Sequence, residues 1–230
     1  MKEGSEIKSS EEQFSNFVES AAHDLHAPLR KLSVLVERVF EKNSALLEGD
    51  TKEYVNRIEN CIQEMQSLIN GLTELARADV NKVFNELCDL NIIVKQTIDA
   101  LRKDNDDKRI DVELETLPAV KGNKIQFQQL FKNLLENAVK FRRENAPIKI
   151  QIKVNSVIDE EKEPVHFAKR KKFYKIEICD NGIGFNQDYA EKIFEPFVRL
   201  HPRSKYEGNG LGLSICKKIA ENHHGFVYAR

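Results

Sequence analysis

From Phe14 to Val39 the apolar residues step at Phe14, Val18, Ala21, Leu25, Leu32, Leu35 and Val39, alternating by four and three, with Pro28 in the one missing slot. Positions three and four apart share a helix face, so this spacing predicts a long helix with one narrow apolar seam. The pattern returns at Tyr54, Ile58, Cys61, Met65, Leu68, Leu72 and Leu75, and the stretch between, Asn43 to Asp50 with Gly49, has turn chemistry. The N-terminal part therefore reads as a helical hairpin. Two helices alone cannot shield both seams, so a second copy is expected, giving a homodimeric four-helix bundle about a two-fold axis.

Past about Val80 the period changes. Ile110-Val112-Leu114, Ile148-Ile150-Ile152-Val154 and Tyr174-Ile176-Ile178 alternate as half-buried strands do. Between them, residues 91 to 104 and Asn123 to Phe141 have helical patterns, the second with Phe127, Leu130, Phe131, Leu134, Leu135 and Ala138 on one face, and a last helix spans Asn209 to His223. The mixed order predicts an α+β fold, a single sheet with helices packed on one face, with a boundary to the hairpin near residues 79 to 86. Residues 159 to 172, acidic and then basic at Lys169-Arg170-Lys171-Lys172, read as a solvated hairpin excursion.

Lys plus Arg number 36 against 37 Asp plus Glu, so no global positive charge exists to hold nucleic acid or an anionic membrane, and an anion must be bound locally. The four cysteines, Cys61, Cys88, Cys179 and Cys216, have neither zinc-ligand nor redox spacing and read as small apolar residues in a reducing compartment. No apolar run reaches the ~20 residues needed to cross a bilayer, and the charged start lacks the core of a signal peptide. The expectation is a cytoplasmic chain without a membrane segment.

Half of the ten glycines fall in Asp180-Asn181-Gly182-Ile183-Gly184-Phe185 and Gly208-Asn209-Gly210-Leu211-Gly212-Leu213. Such clusters occur where backbone approaches a ligand closely, which points to a nucleotide. Asp180 ends a strand, where its carboxylate can accept from an exocyclic amine such as that of adenine. Asp-Asn-Gly is also an ordinary turn signal. Gly208, Gly210, Leu211 and Gly212 lead into the last helix, whose free N-terminal amides offer a site for polyphosphate, and Arg199, Arg203 and Lys205 supply mobile positive charge beside it. On the Asn123 to Phe141 helix, Asn133 and Asn137 point to one side, followed one turn on by Lys140 and Phe141. An asparagine oxygen suits Mg²⁺, Lys140 can neutralise phosphate and Phe141 offers a ring face to a base.

These blocks, with Phe194-Glu195-Pro196-Phe197, resemble the ATP-binding domain shared by histidine kinases, gyrase, the ninety-kilodalton heat-shock chaperones and a mismatch-repair family. The resemblance covers most of residues 86 to 230. It implies that Asn137 is the magnesium ligand, that Asp180 binds the adenine amino group, and that residues 198 to 210 form a flexible lid over the phosphates.

Upstream, His23-Asp24-Leu25-His26-Ala27-Pro28-Leu29 resembles the phosphoacceptor block of sensor histidine kinases, and Asp-Leu after the histidine, with Arg199-Leu200-His201 and Tyr206-Glu207-Gly208, is most similar to the phytochrome-related branch. His23 stands off the seam and toward solvent, as a nucleophilic imidazole needs, and Asp24 can hold its other ring nitrogen's proton. Pro28 cannot donate to the Asp24 carbonyl and is expected to kink or loosen the helix. His26, His166, His201, His223 and His224 read as structural or surface residues, the last two at a helix end where a cation is favoured.

The resemblance implies residues 1–82 as dimerisation and phosphoacceptor domain and residues 83–230 as catalytic domain. It implies an ATP-dependent protein-histidine kinase that phosphorylates His23 and passes the group to a response-regulator receiver domain. A gyrase- or chaperone-type ATPase switch and an inactive phosphotransfer scaffold are the alternatives. Two residues depart from the family pattern. Ala27 replaces the Thr or Asn of members that also dephosphorylate their partner, and Asn133 replaces the glutamate base of hydrolytic relatives. Family members also continue past the equivalent of Tyr228-Ala229-Arg230, so the expectation is either a truncated coding region or a sheet that lacks an edge strand here, and no sensor module is expected before Met1.

Overall fold

The computed structural model of the chain describes residues 3–43, 50–80, 86–104, 110–144, 146–158, 172–202, 205–206 and 208–230. The expected turn after Asn43, the excursion at 159 to 171 and Arg203 lie outside the described residues. The chain divides into two compact units, Met1–Lys82 with Lys192–Phe226, and Val83–Glu191 with Val227–Arg230.

In the first unit α1 (Glu3–Asn43) and α2 (Asp50–Val80) pack on each other as a hairpin. α1 is continuous through Pro28, so the proline does not end the helix. The face buried within the hairpin is not the expected seam. Ser15, Val18, Ala22 and Leu29 on α1 and Val55, Ile62 and Ala76 on α2 are buried, a stripe that, apart from Val18, stands one residue over from the positions of the expected seam. One residue turns a helix face by about 100°, so most of the expected seam looks outward, with Leu25 52 %, Leu35 56 % and Tyr54 60 % exposed. The small residues of the inner stripe allow close approach of the two helices, which favours that face for the intramolecular contact. Leu32, Tyr54, Ile58, Cys61, Ile62 and Met65 line an apolar groove on the outer side.

The rest of this unit ends in α5 (Gly212–Asn222), which lies against α2 with Ile215, Cys216 and Ile219 buried. Asn222 donates to the Ala78 carbonyl, and Asn209 Nδ2 donates to the Ser67 carbonyl at 2.9 Å. α5 starts three residues later than its pattern suggests. Gly208 and Gly210 have φ of 128° and 74°, and the Leu211 amide donates to Asn209 Oδ1 at 3.0 Å, so this stretch is a turn. At its C-terminus His223 Nδ1 lies 2.8 Å from the Ile219 carbonyl. The expectation of a cation is reversed at this residue, because burial holds its pKa below the usual value.

In the second unit β2 (Ile110–Leu114), β4 (Ile148–Ile158) and β5 (Lys172–Asp180) form a three-stranded sheet in the order β2-β4-β5, with β2 parallel and β5 antiparallel to β4. β1 (Glu86–Asp89) and β3 (Ala119–Gly122) form a separate antiparallel pair, so the described residues make two sheets where one is expected. At four residues each, these strands offer too little alternation to be read from sequence. α3 (Leu90–Lys103) and α4 (Lys124–Lys140) share a core with the larger sheet. Ile93, Val94 and Ile98 meet Phe131, Leu135 and Val139 above Ile148, Ile150 and Ile152. Asp89 caps α3 and Asn123 caps α4, the latter accepting from the Ile125 and Gln126 amides at 3.0 and 3.2 Å.

Asn123→Ala should lower the stability of the second unit by about 1 kcal/mol, seen as an earlier unfolding midpoint in urea. His223 makes its full contribution above its unfolded pKa of about 6.5, and that contribution is lost as pH falls through the lower folded value. The unfolding midpoint should therefore drop between pH 7.5 and 5.5 by less in His223→Gln than in the parent.

Candidate functional site

The strongest local construction in the second unit lies where β5 leaves the sheet. Asp180 Oδ1 accepts from the Gly182 amide at 2.8 Å, which fixes the carboxylate at the strand end. The Ile183 amide donates to the Phe141 carbonyl at 2.9 Å, joining this turn to the C-terminus of α4. Gly182 makes both contacts possible, since a Cβ there would stand 2.6 Å from Asp180 Oδ1 and 2.6 Å from the Phe141 carbonyl. Gly184, at φ 66°, has open space beside it.

Two residues that the sequence reading did not single out hold this turn. Asn181 accepts from the Lys149 amide at 2.9 Å and donates to the Pro147 carbonyl at 2.9 Å, fastening the turn to the start of β4. Arg143 Nε donates to the Gly182 carbonyl at 2.9 Å. Asn181 stood inside a motif already noticed, whereas Arg143 acts across 39 positions and has no periodic signal.

On α4, Asn133 and Asn137 stand one turn apart. Asn133 is buried and its Oδ1 accepts from Gln129 Nε2 at 3.1 Å, while Asn137 is half-buried. Lys140 lies with its ammonium 4.7 Å from the Phe141 ring centre, a cation–π contact that neutral surroundings strengthen. Among the described residues no group of three or more His, Cys, Asp and Glu could cage a metal. That donor set fits Mg²⁺ held by one amide oxygen together with phosphate and water, and does not fit a cation held by protein carboxylates alone.

The remaining candidates belong to the first unit. The His23 side chain is 89 % exposed on α1, with Nδ1 3.5 Å from Asp24 Oδ1. Arg199, expected as mobile charge, is tied to backbone through Nη1 to the Gly208 carbonyl at 2.5 Å and Nη2 to the Tyr206 carbonyl at 2.7 Å. Lys205 is exposed, 5.7 Å from the Tyr206 ring centre. Gly210 is backed by the 197–199 segment, and Leu211 is buried ahead of Gly212, the first residue of α5.

Two family descriptions match this chain. The His Kinase A (phospho-acceptor) domain covers residues 15–81, and the histidine kinase-, DNA gyrase B- and HSP90-like ATPase covers residues 122–230. The chain therefore belongs to the sensor histidine kinases and carries the two domains of their catalytic core. It is similar to the phytochrome-like protein Cph1 of Synechocystis, 30% identical over 96% of this chain and 28% of that protein. It is likewise similar to the cyanobacterial phytochrome A of Nostoc, 30% identical over 97% of this chain and 27% of that protein. The signal transduction histidine-protein kinase ArlS of Staphylococcus aureus is 31% identical over 97% of this chain and 47% of its own length. The chain thus spans between about a quarter and a half of these curated relatives. Among solved structures, ShkA full-length in complex with AMPPNP has a TM-score of 0.60 at 19% identity, covering 93% of this chain and 42% of that one. The Acinetobacter baumannii histidine kinase AdeS has a TM-score of 0.50 at 18% identity, covering 85% and 86%. At these identities the likeness concerns the fold. No helix of the described residues is long and apolar enough to cross a membrane.

Gly182→Ala drives a methyl into both Asp180 and the α4 terminus. Binding of an ATP analogue should weaken by about tenfold or more with the helical spectrum unchanged, as titration calorimetry and circular dichroism will report.

Proposed function

We propose that this chain is an ATP-dependent protein-histidine kinase core that phosphorylates His23 and passes the phosphoryl group to an aspartate of a response-regulator receiver domain. The observation that carries the reading is the His23 ring itself. It stands almost fully in solvent, with Asp24 beside Nδ1, on the helix that matches the phosphoacceptor family. A carboxylate at Nδ1 favours the tautomer with its proton there and leaves Nε2 with the lone pair that attacks phosphorus. In that step the Nε2–Pγ bond forms, the bond from Pγ to the β,γ-bridging oxygen breaks, and ADP leaves. Asp24 stabilises the positive charge that develops on the ring. In the second step an aspartate oxygen of the receiver takes the phosphoryl group and the imidazole returns neutral.

In this reading Asp180 accepts from the adenine amino group through the oxygen that Gly182 does not occupy. Phe141 lies beside the base and Lys140 neutralises phosphate; in the first unit the backbone amides of the Gly208 to Gly212 stretch other than that of Leu211, which donates to Asn209, are the candidates for polyphosphate. Mg²⁺, when bound through Asn137, supplies charge neutralisation on the phosphates. Catalysis is then mainly positioning. Asn133 carries an amide that cannot take a proton from water, which favours transfer to protein over the hydrolysis of an ATPase switch. That ShkA was solved with AMPPNP is consistent with nucleotide use by this fold. Residues 1–82 serve as dimerisation and phosphoacceptor domain and 83–230 as catalytic domain, a division in keeping with the limits of the matched families.

The outward stripe of α1 and α2 supports the homodimer. Fully covering a Leu or Ile contributes roughly 1.5–3 kcal/mol. Leu25, Leu32, Leu35, Ile58 and Leu72 are each only about half exposed, so covering them on two copies contributes on the order of 10 kcal/mol, comparable with the roughly 4–15 kcal/mol that association costs in translational and rotational freedom.

Incubation with γ-labelled ATP and Mg²⁺ should give acid-labile, alkali-stable label on His23. His23→Gln should abolish the label and keep nucleotide binding, and label surviving that change would refute the assignment. Sedimentation should give a dimer at micromolar concentration, and Leu32→Glu with Ile58→Glu should give a monomer.

A further inference from the structure

Arg199 bridges two carbonyls that its own loop brings together. Its Nη1 donates to Gly208 and its Nη2 to Tyr206, nine and seven residues on, so one planar group ties both carbonyls to residue 199. A second closure lies beside it. The Phe197 amide donates to the Gly210 carbonyl at 3.0 Å, and Phe197 holds a left-handed φ of 65° that a bulky residue adopts only when its surroundings force it. Gly210 completes the joint, since a Cβ there would stand 2.9 Å from Phe197 C and from the Val198 carbonyl, and 3.1 Å from Arg199 Cγ. The Asn209 side chain then turns the chain into α5 by accepting from the Leu211 amide. Arg199, Phe197 and Gly210 thus form one joint that sets the course of the backbone from Gly208 to Leu211.

A guanidinium is suited to this task. Its fork can address two acceptors in one plane, whereas an ammonium on a flexible stem is a single point of charge. Each terminal nitrogen of Arg199 has a backbone acceptor in its own loop, at 2.5 and 2.7 Å.

We propose that Arg199 is a positioning residue, a clip that shapes the glycine loop before nucleotide arrives, and that it acts on the polyphosphate through the loop's amides. This rests on the kinase reading above, and it makes a distinction that reading leaves open. A γ-phosphate ligand discriminates between nucleoside triphosphate and diphosphate, and another cation can replace it in part. A clip affects both nucleotides equally and requires the fork.

The test compares the whole chain with Arg199→Lys and Arg199→Ala in two measurements. Amide hydrogen exchange of the nucleotide-free proteins over residues 205–213 reports the loop itself. Calorimetry with AMPPNP and with ADP, each with Mg²⁺, reports its consequence. Both variants should exchange faster than the parent across Tyr206 to Leu211, and both should lose AMPPNP and ADP affinity by the same factor, about tenfold, with no rescue by lysine. Unchanged exchange in Arg199→Ala would overturn the clip. So would near-parent binding by Arg199→Lys, or a loss confined to AMPPNP, which would make Arg199 a phosphate ligand. If the parent binds neither nucleotide, the kinase reading fails, and the exchange data still decide whether Arg199 holds the loop.

Discussion

The absence of a side chain at Gly182 is the constraint on which the second unit's site depends. With no Cβ in the way, the chain leaving β5 turns back close enough for its amide to hold the Asp180 carboxylate. The next amide then reaches the end of α4. Asp180 and Phe141 are far apart in sequence, and this turn makes their positions interdependent. Asn181 and Arg143 add three hydrogen bonds around it, anchored on the start of β4 and the segment after α4. Each is worth only about 1 kcal/mol net, yet together they restrict the loop to one course, which is what a preorganised recognition site requires.

The first unit uses glycine differently. Gly210 lets two stretches of one loop meet, so the space a side chain would fill is occupied by the protein's own backbone. The same residue type in two similar motifs therefore has two physical causes. At Gly182 the glycine seats a side chain and a helix end, and at Gly210 it closes a loop onto itself. Arg199 follows from that second closure, because carbonyls brought together in a bend need a donor, and a fork supplies two.

The helical hairpin divides its apolar residues between two faces. Ser15, Val18, Ala22, Leu29, Val55, Ile62 and Ala76 are buried while Leu25, Leu32, Leu35, Tyr54 and Ile58 stay on the outer face, a division that the four-and-three spacing hides because adjacent stripes obey the same period. His23 belongs to neither, and this keeps its ring in solvent. In the proposed kinase reading a phosphoacceptor must meet a nucleotide and then a second protein in turn, so burial on either face would defeat it.

The amino-acid sequence by itself determined the helical hairpin, the α+β character of the remainder, the core strands β2, β4 and β5, and the family, since each rests on a local period or a contiguous motif. His23, Asp24, Asp180, Gly182 and the asparagines of α4 stood out as candidates for the same reason. Only the tertiary structure decided which helix stripe faces inward, because neighbouring stripes differ by a single residue and the choice depends on side-chain size across the contact. It also decided that β1 and β3 pair apart from the main sheet, that burial lowers the His223 pKa at a helix end, and that Arg143 and Arg199 spend their donors on backbone carbonyls. These outcomes depend on groups that meet only when distant segments fold together, and no local pattern encodes which carbonyl a long, flexible cation will find.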